Sequence, residues 1–363
     1  MKIAFLTGDL SDGGAQRVLS VIANGLAQKG NDVLVIVFAQ AEKEYSLCEK
    51  IERITLYPSY EEYASVSLLK RLSIMRKVLK RFEPDAAVGF MEAGYALFIS
   101  SIGLPFKKIG SLRISPYYQE ANKSLRGRLE RYWFRKASAV VLQTESQKEY
   151  AVCHKWANPT VIPNPINSSV FDIGEHSYRD SCSKLIMVGR LHEQKNYPLA
   201  LHAVQRAVEV IPHLRLEIYG DGEERNELVE LTVKLGLQNN VSFMGWHSDI
   251  VARYKESDLF LMTSHFEGLP NALMEAMGCG LPCISTDCPT GPADLIKNGV
   301  TGMLVPITDV DALTNAIIKI CNMSGKERGD MGRRAKEYIR QNYNVECITE
   351  KWEALFCQLE KRR

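Results

Sequence analysis

The sequence predicts an α/β protein made of two doubly wound parallel-sheet domains facing a cleft. Three observations carry this reading. Apolar runs of four to six residues alternate with amphipathic stretches of helical period, and the alternation occurs twice along the chain. The 363 residues suffice for two domains of ordinary size. One stiff, proline-bracketed segment, V-I-P-N-P-I-N at 161–167, separates the two series.

In the first series, residues 2–7 and 33–38 read as buried strands flanking a helix over 15–29. Gly30 falls just past that helix, where a left-handed cap is needed. Further strands are expected at 86–90, 109–112 and 139–143, with helices over 66–82 and 124–136. Strands this uniformly apolar belong in a parallel sheet covered on both faces. The second series places strands at 184–188, 214–219, 241–244, 259–263 and 282–286, and helices at 197–210, 224–235, 271–279 and 310–323. The expected boundaries are 1–166 and 167–344. The tail 345–363 carries an amphipathic helix at about 345–360, with Ile348, Trp352, Leu355, Phe356 and Leu359 on one face, crossing back to the first domain. Ligands of such sheets bind at the carboxyl ends of the strands, so both Rossmann-like domains would address the cleft.

Composition excludes several classes. Apolar residues are 45% of the chain, enough for a core that offsets the ordering entropy of folding. Lys and Arg number 45 against 43 Asp and Glu, so no nucleic-acid partner held by bulk charge is expected. The most apolar long stretch, 93–105, is too short to span a membrane, and the apolar start breaks at Thr7-Gly8, too soon for a signal-peptide core. Nine cysteines form no C-x-x-C pair and no His follows at zinc spacing. They read as reduced thiols of a cytoplasmic protein, with no metal site. The small net charge hides an asymmetry: residues 1–176 carry 23 Lys and Arg against 18 Asp and Glu, a net of +5, and the remainder 22 against 25, a net of −3.

Three segments carry chemistry. In G-D-L-S-D-G-G-A-Q-R (8–17), Gly13 and Gly14 allow close backbone approach to a ligand ahead of a helix N-terminus that favours phosphate. It is neither a Walker loop nor G-x-G-x-x-G, and a purely geometric turn is the alternative. In G-R-L-H-E-Q-K-N-Y (189–197), Arg190 and Lys195 project two cations, with Asn196 as the expected helix N-cap. Such a pair suits a diphosphate, Arg binding in a fork and Lys as a point charge; two solvated loop charges are the alternative. In S-H-F-E-G-L-P-N-A-L-M-E-A-M (264–277), Glu267 lies in a loop and Glu275 inside a helix, on an otherwise apolar face. A carboxylate there needs hydroxyl or cationic partners, from sugar and ribose or from a buried ion pair.

Together G-G-A-x-R, V-I-P-N-P, G-R-L-x-x-x-K-N, Y-G-D-G and E-G-L-P-N-A-L-M-E resemble the retaining glycosyltransferases of family 4, of GT-B fold, over essentially the whole chain. The stretch D-C-P-T-G-P-A-D-L-I (287–296) looks most like bacterial members that extend lipid-linked, capsular or O-antigen glycans. The resemblance implies that Arg190 and Lys195 hold the donor diphosphate and that Glu275 accepts bonds from the ribose. Glu267 would lie against the donor sugar, within the segment Gly268, Leu269, Pro270 and Asn271. Gly13 and Gly14 would approach the distal phosphate, and Gly245 and His247 border the base. No cofactor or metal is implied, because the two cations neutralise the diphosphate and no suitable D-x-D is present. The implied activity is transfer of a hexose or N-acetylhexosamine from a nucleotide sugar, expected to be UDP-linked, to a polyprenyl-diphosphate-linked or polysaccharide acceptor with retention. Where many relatives carry a His, this chain has S-L-R-I-S-P (111–116), so Arg113 is a candidate catalytic, phosphate-binding or acceptor-binding residue. A sugar-nucleotide epimerase and an inactive nucleotide-sugar-binding subunit remain the alternatives.

The segment 68–82 places Leu68, Leu72, Met75, Leu79 and Phe82 on one stripe and Lys70, Arg71, Arg76, Lys77, Lys80 and Arg81 around it. A second basic stretch, 123–136, interleaves Arg126, Arg128, Arg131 and Arg135 with Tyr132, Trp133 and Phe134. Basic amphipathic helices bind anionic membrane or a carrier diphosphate, or pack on a core with a solvated basic face. The first reading puts the chain on the inner face of the membrane.

Overall fold

The computed structural model describes residues 1–11, 13–91, 93–117, 125–172, 178 and 181–361. Lys123 and the Arg126 side chain, both in the second basic stretch, lie outside the described residues. The chain divides into two compact units, Met1–Pro165 with Val345–Arg363, and Ile166–Asn344.

The first unit holds a seven-stranded sheet: β1 (Lys2–Thr7), β2 (Asp32–Ala39), β3 (Glu52–Tyr57), β4 (Ala86–Phe90), β5 (Lys107–Ser111), β6 (Ala139–Leu142) and β7 (Pro159–Val161), in the order β3-β2-β1-β4-β5-β6-β7. All neighbours are parallel; Ile3 of β1 pairs with Val33 on one side and Ala86 on the other. Seven of the eight residues of β2 are buried, as two-sided helical cover demands. The second unit repeats the plan with β8 (Lys184–Val188), β9 (Arg215–Tyr219), β10 (Val241–Gly245), β11 (Leu259–Met262), β12 (Cys283–Thr286) and β13 (Met303–Val305), parallel in the order β10-β9-β8-β11-β12-β13. Each sheet reverses its strand order beside its first strand, at β1/β4 and at β8/β11. The carboxyl ends there are the topological switch points at which doubly wound sheets bind ligands.

The C-terminal helix Val345–Lys361 belongs to the first unit. Its buried face, Ile348, Trp352, Leu355, Phe356 and Leu359, joins the core built by β1, β2 and helix Gly14–Gln28. Gly25 permits the close crossing: a Cβ there would meet Thr349 Oγ1 at 2.5 Å. Lys29 reaches Glu353 at 3.0 Å across the same contact.

Several elements escape the sequence pattern. β3 has the charged start Glu52-Arg53, and β7 and β13 have three residues each. Helix Ala93–Ser100 is apolar all round, so it reads as a run without period. Helix Gly325–Tyr343 is polar and carries three glycines, which lower helix propensity. Two of them serve packing: a Cβ at Gly332 would meet the Gly280 carbonyl at 1.9 Å, and one at Gly329 would meet Tyr178 at 2.9 Å. Gly30 is left-handed, at φ +88°, as its position after the first helix predicts.

Candidate functional site

In the second unit the loops after β8 and β9 run side by side. Gly189 N–H donates to the Tyr219 carbonyl at 3.0 Å, and Leu191 N–H to Asp221 at 3.0 Å. This approach explains the glycines of Y-G-D-G. A Cβ at Gly220, held at φ +135°, would lie 2.0 Å from the Gly189 carbonyl, and one at Gly222 would lie 2.2 Å from that of Leu191. A 3-10 turn, Glu193–Lys195, then brings Lys195 back over Gly189 before helix Tyr197–Val210 begins. Asn196 stands at the N-cap position but makes no side-chain cap bond, contrary to the sequence expectation. Its backbone is left-handed (φ 48°, ψ 49°), a conformation that Asn tolerates better than most residues.

The loop after β11 is pinned to this turn. Thr263 Oγ1 donates to the carbonyls of Lys195 and Asn196 at 2.8 and 2.9 Å, Gln194 Nε2 to Phe266 at 2.8 Å, and His265 N–H to Gln194 at 2.8 Å. The result is a pair placed at the β8/β11 switch point: Lys195 Nζ donates to Glu267 Oε1 at 2.6 Å. Ser264 Oγ donates to the same oxygen at 2.7 Å, and Thr290 Oγ1 bonds the Glu267 carbonyl. Glu267 is 7% exposed, and its Oε2 has no protein partner among the described residues. Such a buried carboxylate is tolerable because it is paired and hydrogen-bonded. Arg190, on the same loop, is exposed and makes neither hydrogen bond nor ion pair among the described residues.

Gly268, Leu269 and Pro270 are buried, and Asn271 opens helix Asn271–Gly278. Gly291 (φ +97°) allows the chain to pass Gly268, whose carbonyl a Cβ would meet at 2.3 Å. Glu275 is buried in that helix at 4% exposure. Burial, and then the Glu275 charge, pushes the Cys279 thiol up to about 12. Burial and then the Glu267 charge do the same to Cys288. Gly245 is left-handed at φ +74°, and His247 is exposed, its Nε2 3.1 Å from the Met244 carbonyl and its ring edge-on to Tyr219 at 5.2 Å.

In the first unit, the loop after β1 is shaped by Asp9, a residue the sequence reading passed over. Its Oδ1 accepts from Ser11 N–H at 3.0 Å, Ser11 Oγ at 2.7 Å and Gln16 Nε2 at 3.2 Å. The available signal was the Asp-x-Ser turn spacing. Gly13 caps helix Gly14–Gln28, and Gly14 is exposed at its start. Arg113 follows β5 and is 8% exposed. Its Nε donates to Ser111 Oγ at 2.9 Å, and its Nη1 to the Ile162 carbonyl at 3.0 Å and Asn164 Oδ1 at 3.1 Å. Burial pulls its guanidinium down to about 9. Asn164 also accepts from Gln143 Nε2 at 3.0 Å, so the proline-bracketed segment supplies a polar partner as well as stiffness.

Helix Leu68–Phe82 buries Leu72, Met75, Leu79 and Phe82. Its six cations divide. Arg71 turns inward over the Tyr63 ring, its guanidinium carbon 4.3 Å from the centroid. Arg76 donates to the carbonyls of Ser100 and Ile102 at 2.8 and 2.7 Å, closing the end of helix Ala93–Ser100. Arg81 pairs with Glu52 at 2.8 Å. Lys70, Lys77 and Lys80 stay exposed without a protein partner among the described residues. In the second basic stretch Trp133 and Phe134 are core residues, and only Tyr132 of the three aromatics is exposed. Among the described residues no helix is long and apolar enough to cross a membrane, and no three His, Cys, Asp or Glu side chains group as metal ligands would.

Comparison with known proteins follows the same division. The profile of Glycosyltransferase Family 4 matches residues 12–170, and that of Glycosyl transferases group 1 matches 174–338. An uncharacterized glycosyltransferase of Methanocaldococcus jannaschii is 30% identical over 256 residues; the match spans 63% of this chain and 62% of that protein, under two thirds of its length. A Campylobacter jejuni α-1,4-N-acetylgalactosaminyltransferase, named for an undecaprenol-diphosphate-linked glycan acceptor, is 27% identical over 373 residues and 99% of both chains. The Anabaena HepE structure, in complex with UDP and glucose, superposes with a TM-score of 0.81 at 20% identity over 99% of this chain and 100% of that one. With a family 4 domain followed by a group 1 domain, each on its own parallel sheet, the chain belongs to the GT-B glycosyltransferases of the family 4 and group 1 type.

Proposed function

We propose that this glycosyltransferase moves a hexose or N-acetylhexosamine from a UDP-sugar to a lipid-linked or polysaccharide acceptor, with retention, leaving an α-glycosidic bond. The observation that carries the donor half is the arrangement at the β8/β11 switch point: Lys195 bound to Glu267 at 2.6 Å, with Arg190, exposed and unpaired among the described residues, on the same loop. The acceptor class rests on the full-length likeness to the Campylobacter enzyme.

The side chains divide the work. Arg190 has a free fork for diphosphate oxygens, and Lys195 adds a point charge shared between diphosphate and Glu267. Charge develops on the departing phosphate as the sugar becomes oxocarbenium-like, so these cations act where the transition state needs them. Glu267, held through Oε1, presents Oε2 to a sugar hydroxyl. Glu275 takes the ribose hydroxyls, and Gly245 and His247 border the base. The acceptor hydroxyl attacks the face from which the phosphate leaves, and a phosphate oxygen takes its proton. Two side-chain cations supply the neutralisation, so no metal is needed.

The test is a panel of UDP- and GDP-sugars with membrane lipid extract as acceptor, run with and without a chelator. An α-linked product from a UDP-sugar, at a rate unchanged by chelation, is expected. A β-linked product, or donor epimerised with no acceptor present, overturns the reading.

We also propose peripheral contact with anionic membrane through Lys70, Lys77 and Lys80, beside Leu69, which is 81% exposed. Lysines at such a surface contribute about 1 kcal/mol each and are screened by salt. The chain should float with phosphatidylglycerol vesicles at low salt and be released at high salt. Absence of flotation at either salt refutes the contact.

A further inference from the structure

We infer that Cys182 and Cys321 are a site of reversible oxidation, a thiol pair that a hydroperoxide converts to a disulfide clamping the second unit. The two cysteines lie 139 positions apart and share no sequence motif. Folding brings their sulfurs to 3.2 Å inside the buried core of that unit. Only about 1.1 Å then remains to close to the ~2.05 Å of a disulfide bond. Cys283 and Cys288, by contrast, spend their thiols on the carbonyls of Leu281 and Thr290.

The backbone holds both residues where the bond would form. Cys182 stands two residues ahead of β8, and the amides that follow it, of Ser183 and Lys184, both donate to Asp258 Oδ2 at 2.9 Å. Cys321 ends helix Val310–Cys321. Arg328, buried at 1% exposure, donates through Nη1 to the Cys321 carbonyl at 3.4 Å and to that of Met323. The contact with Cys321, and then burial, hold the Cys182 thiol well above its ordinary range. Cys182 therefore keeps its proton until the second step of the oxidation.

Cys321 is 7% exposed against 3% for Cys182, so a small peroxide meets its sulfur first. As a thiolate, Cys321 attacks one peroxide oxygen; the O–O bond breaks and the sulfur is oxidised to a sulfenic acid. The other oxygen leaves as water with the proton that Cys321 gave up. The Cys182 sulfur then bonds to that of Cys321 and breaks its S–O bond, and the hydroxyl leaves as a second water with the Cys182 proton. Two thiols are oxidised, and one hydrogen peroxide is reduced to two waters. A thiol reductant reverses the bond by exchange.

The disulfide would tie the entry to β8 to the end of a helix whose Asp311 and Thr314 meet helix Tyr197–Val210. It lies at the amino end of β8, opposite the loops that bear Arg190, Lys195 and Glu267, so it stiffens the unit without entering the donor site. A link between residues so far apart in the chain restricts the unfolded state strongly.

The test treats the reduced full chain with hydrogen peroxide, alkylates the remaining thiols and maps linked peptides by mass spectrometry without reduction. A Cys182–Cys321 peptide pair that dithiothreitol separates is expected. Oxidation should also raise the unfolding temperature of the second unit by roughly 5–15 °C. Cys182→Ala and Cys321→Ala should each abolish the pair and the rise, while the wild-type peptide map decides the linkage without them. Peroxide that modifies the exposed Cys153 and Cys357 yet leaves Cys182 and Cys321 unlinked overturns the inference. So does a linked pair with no rise, or an equal rise in either variant.

Discussion

Replacing Lys195 with alanine is expected to lower kcat/KM for transfer by about 10²–10³-fold, a loss of about 3–4 kcal/mol of transition-state stabilisation. Two effects act together. The departing diphosphate loses a cation that the fold has already positioned, and Glu267, 7% exposed in the intact chain, loses its ionic partner and keeps Ser264 as the remaining donor to its carboxylate among the described residues. Lys195→Arg keeps the charge but cannot reproduce the point contact, so it should recover only part of the rate. Arg190→Ala should cost less, because Arg190 is exposed and pays no part in holding Glu267. Single-turnover transfer by Arg190→Ala, Lys195→Ala and Glu267→Ala is the measurement; activity equal to wild type in all three would refute the site. The double variant Lys195→Ala with Glu267→Gln adds information, since contacting residues are not additive. If the unpaired carboxylate contributes to the loss, the double variant should be less impaired than the two single losses predict.

Trp352→Ala should destabilise the first unit by about 3–5 kcal/mol, the range for a large aromatic removed from a core. Trp352 is fully buried, packs against Phe5 at 6.3 Å, Phe90 at 6.4 Å and Phe356 at 5.7 Å, and has the Arg113 guanidinium 5.8 Å from its ring centroid. Its loss both opens a cavity and removes one of the two aromatic faces beside a buried cation, the other being Phe90 at 5.3 Å. Trp352→Phe keeps most of the apolar surface and should cost distinctly less. Denaturant unfolding of the full chain, followed by signals assigned to each unit, checks this. A midpoint unchanged for the first unit would show that the C-terminal helix adds little to its core.

Much of the framework was legible in the chain. Ten of the strands were expected, most of them because a strand covered on both faces is a short, nearly uninterrupted apolar run. The terminal helix and its partner surface were legible from the spacing of Ile348, Trp352, Leu355, Phe356 and Leu359. Three of the four edge strands were not: β3, β7 and β13 are short or half-exposed and lack the two-sided apolar signature, whereas the edge strand β10 was expected at 241–244. Helix Gly325–Tyr343 was missed for a different reason: its glycines serve close approach to Gly280 and Tyr178, which no local pattern announces.

Sequence by itself determined the two parallel sheets, the terminal helix that returns to the first, and the loops that bear Arg190, Lys195, Glu267 and Glu275. These follow from periodicity and from residue types with few alternative uses. Tertiary structure alone decided what each charge does. Lys195 is bound to Glu267 while Arg190 stays exposed, because Thr263 and Gln194 lock one loop onto the other. Arg71, Arg76 and Arg81 are each taken up by a ring, two carbonyls or a carboxylate from elsewhere in the chain, and Arg113 is buried. A run of basic residues looks uniform in sequence, since charge is local; its partners are contributed by segments tens of residues away, and only folding brings them within reach.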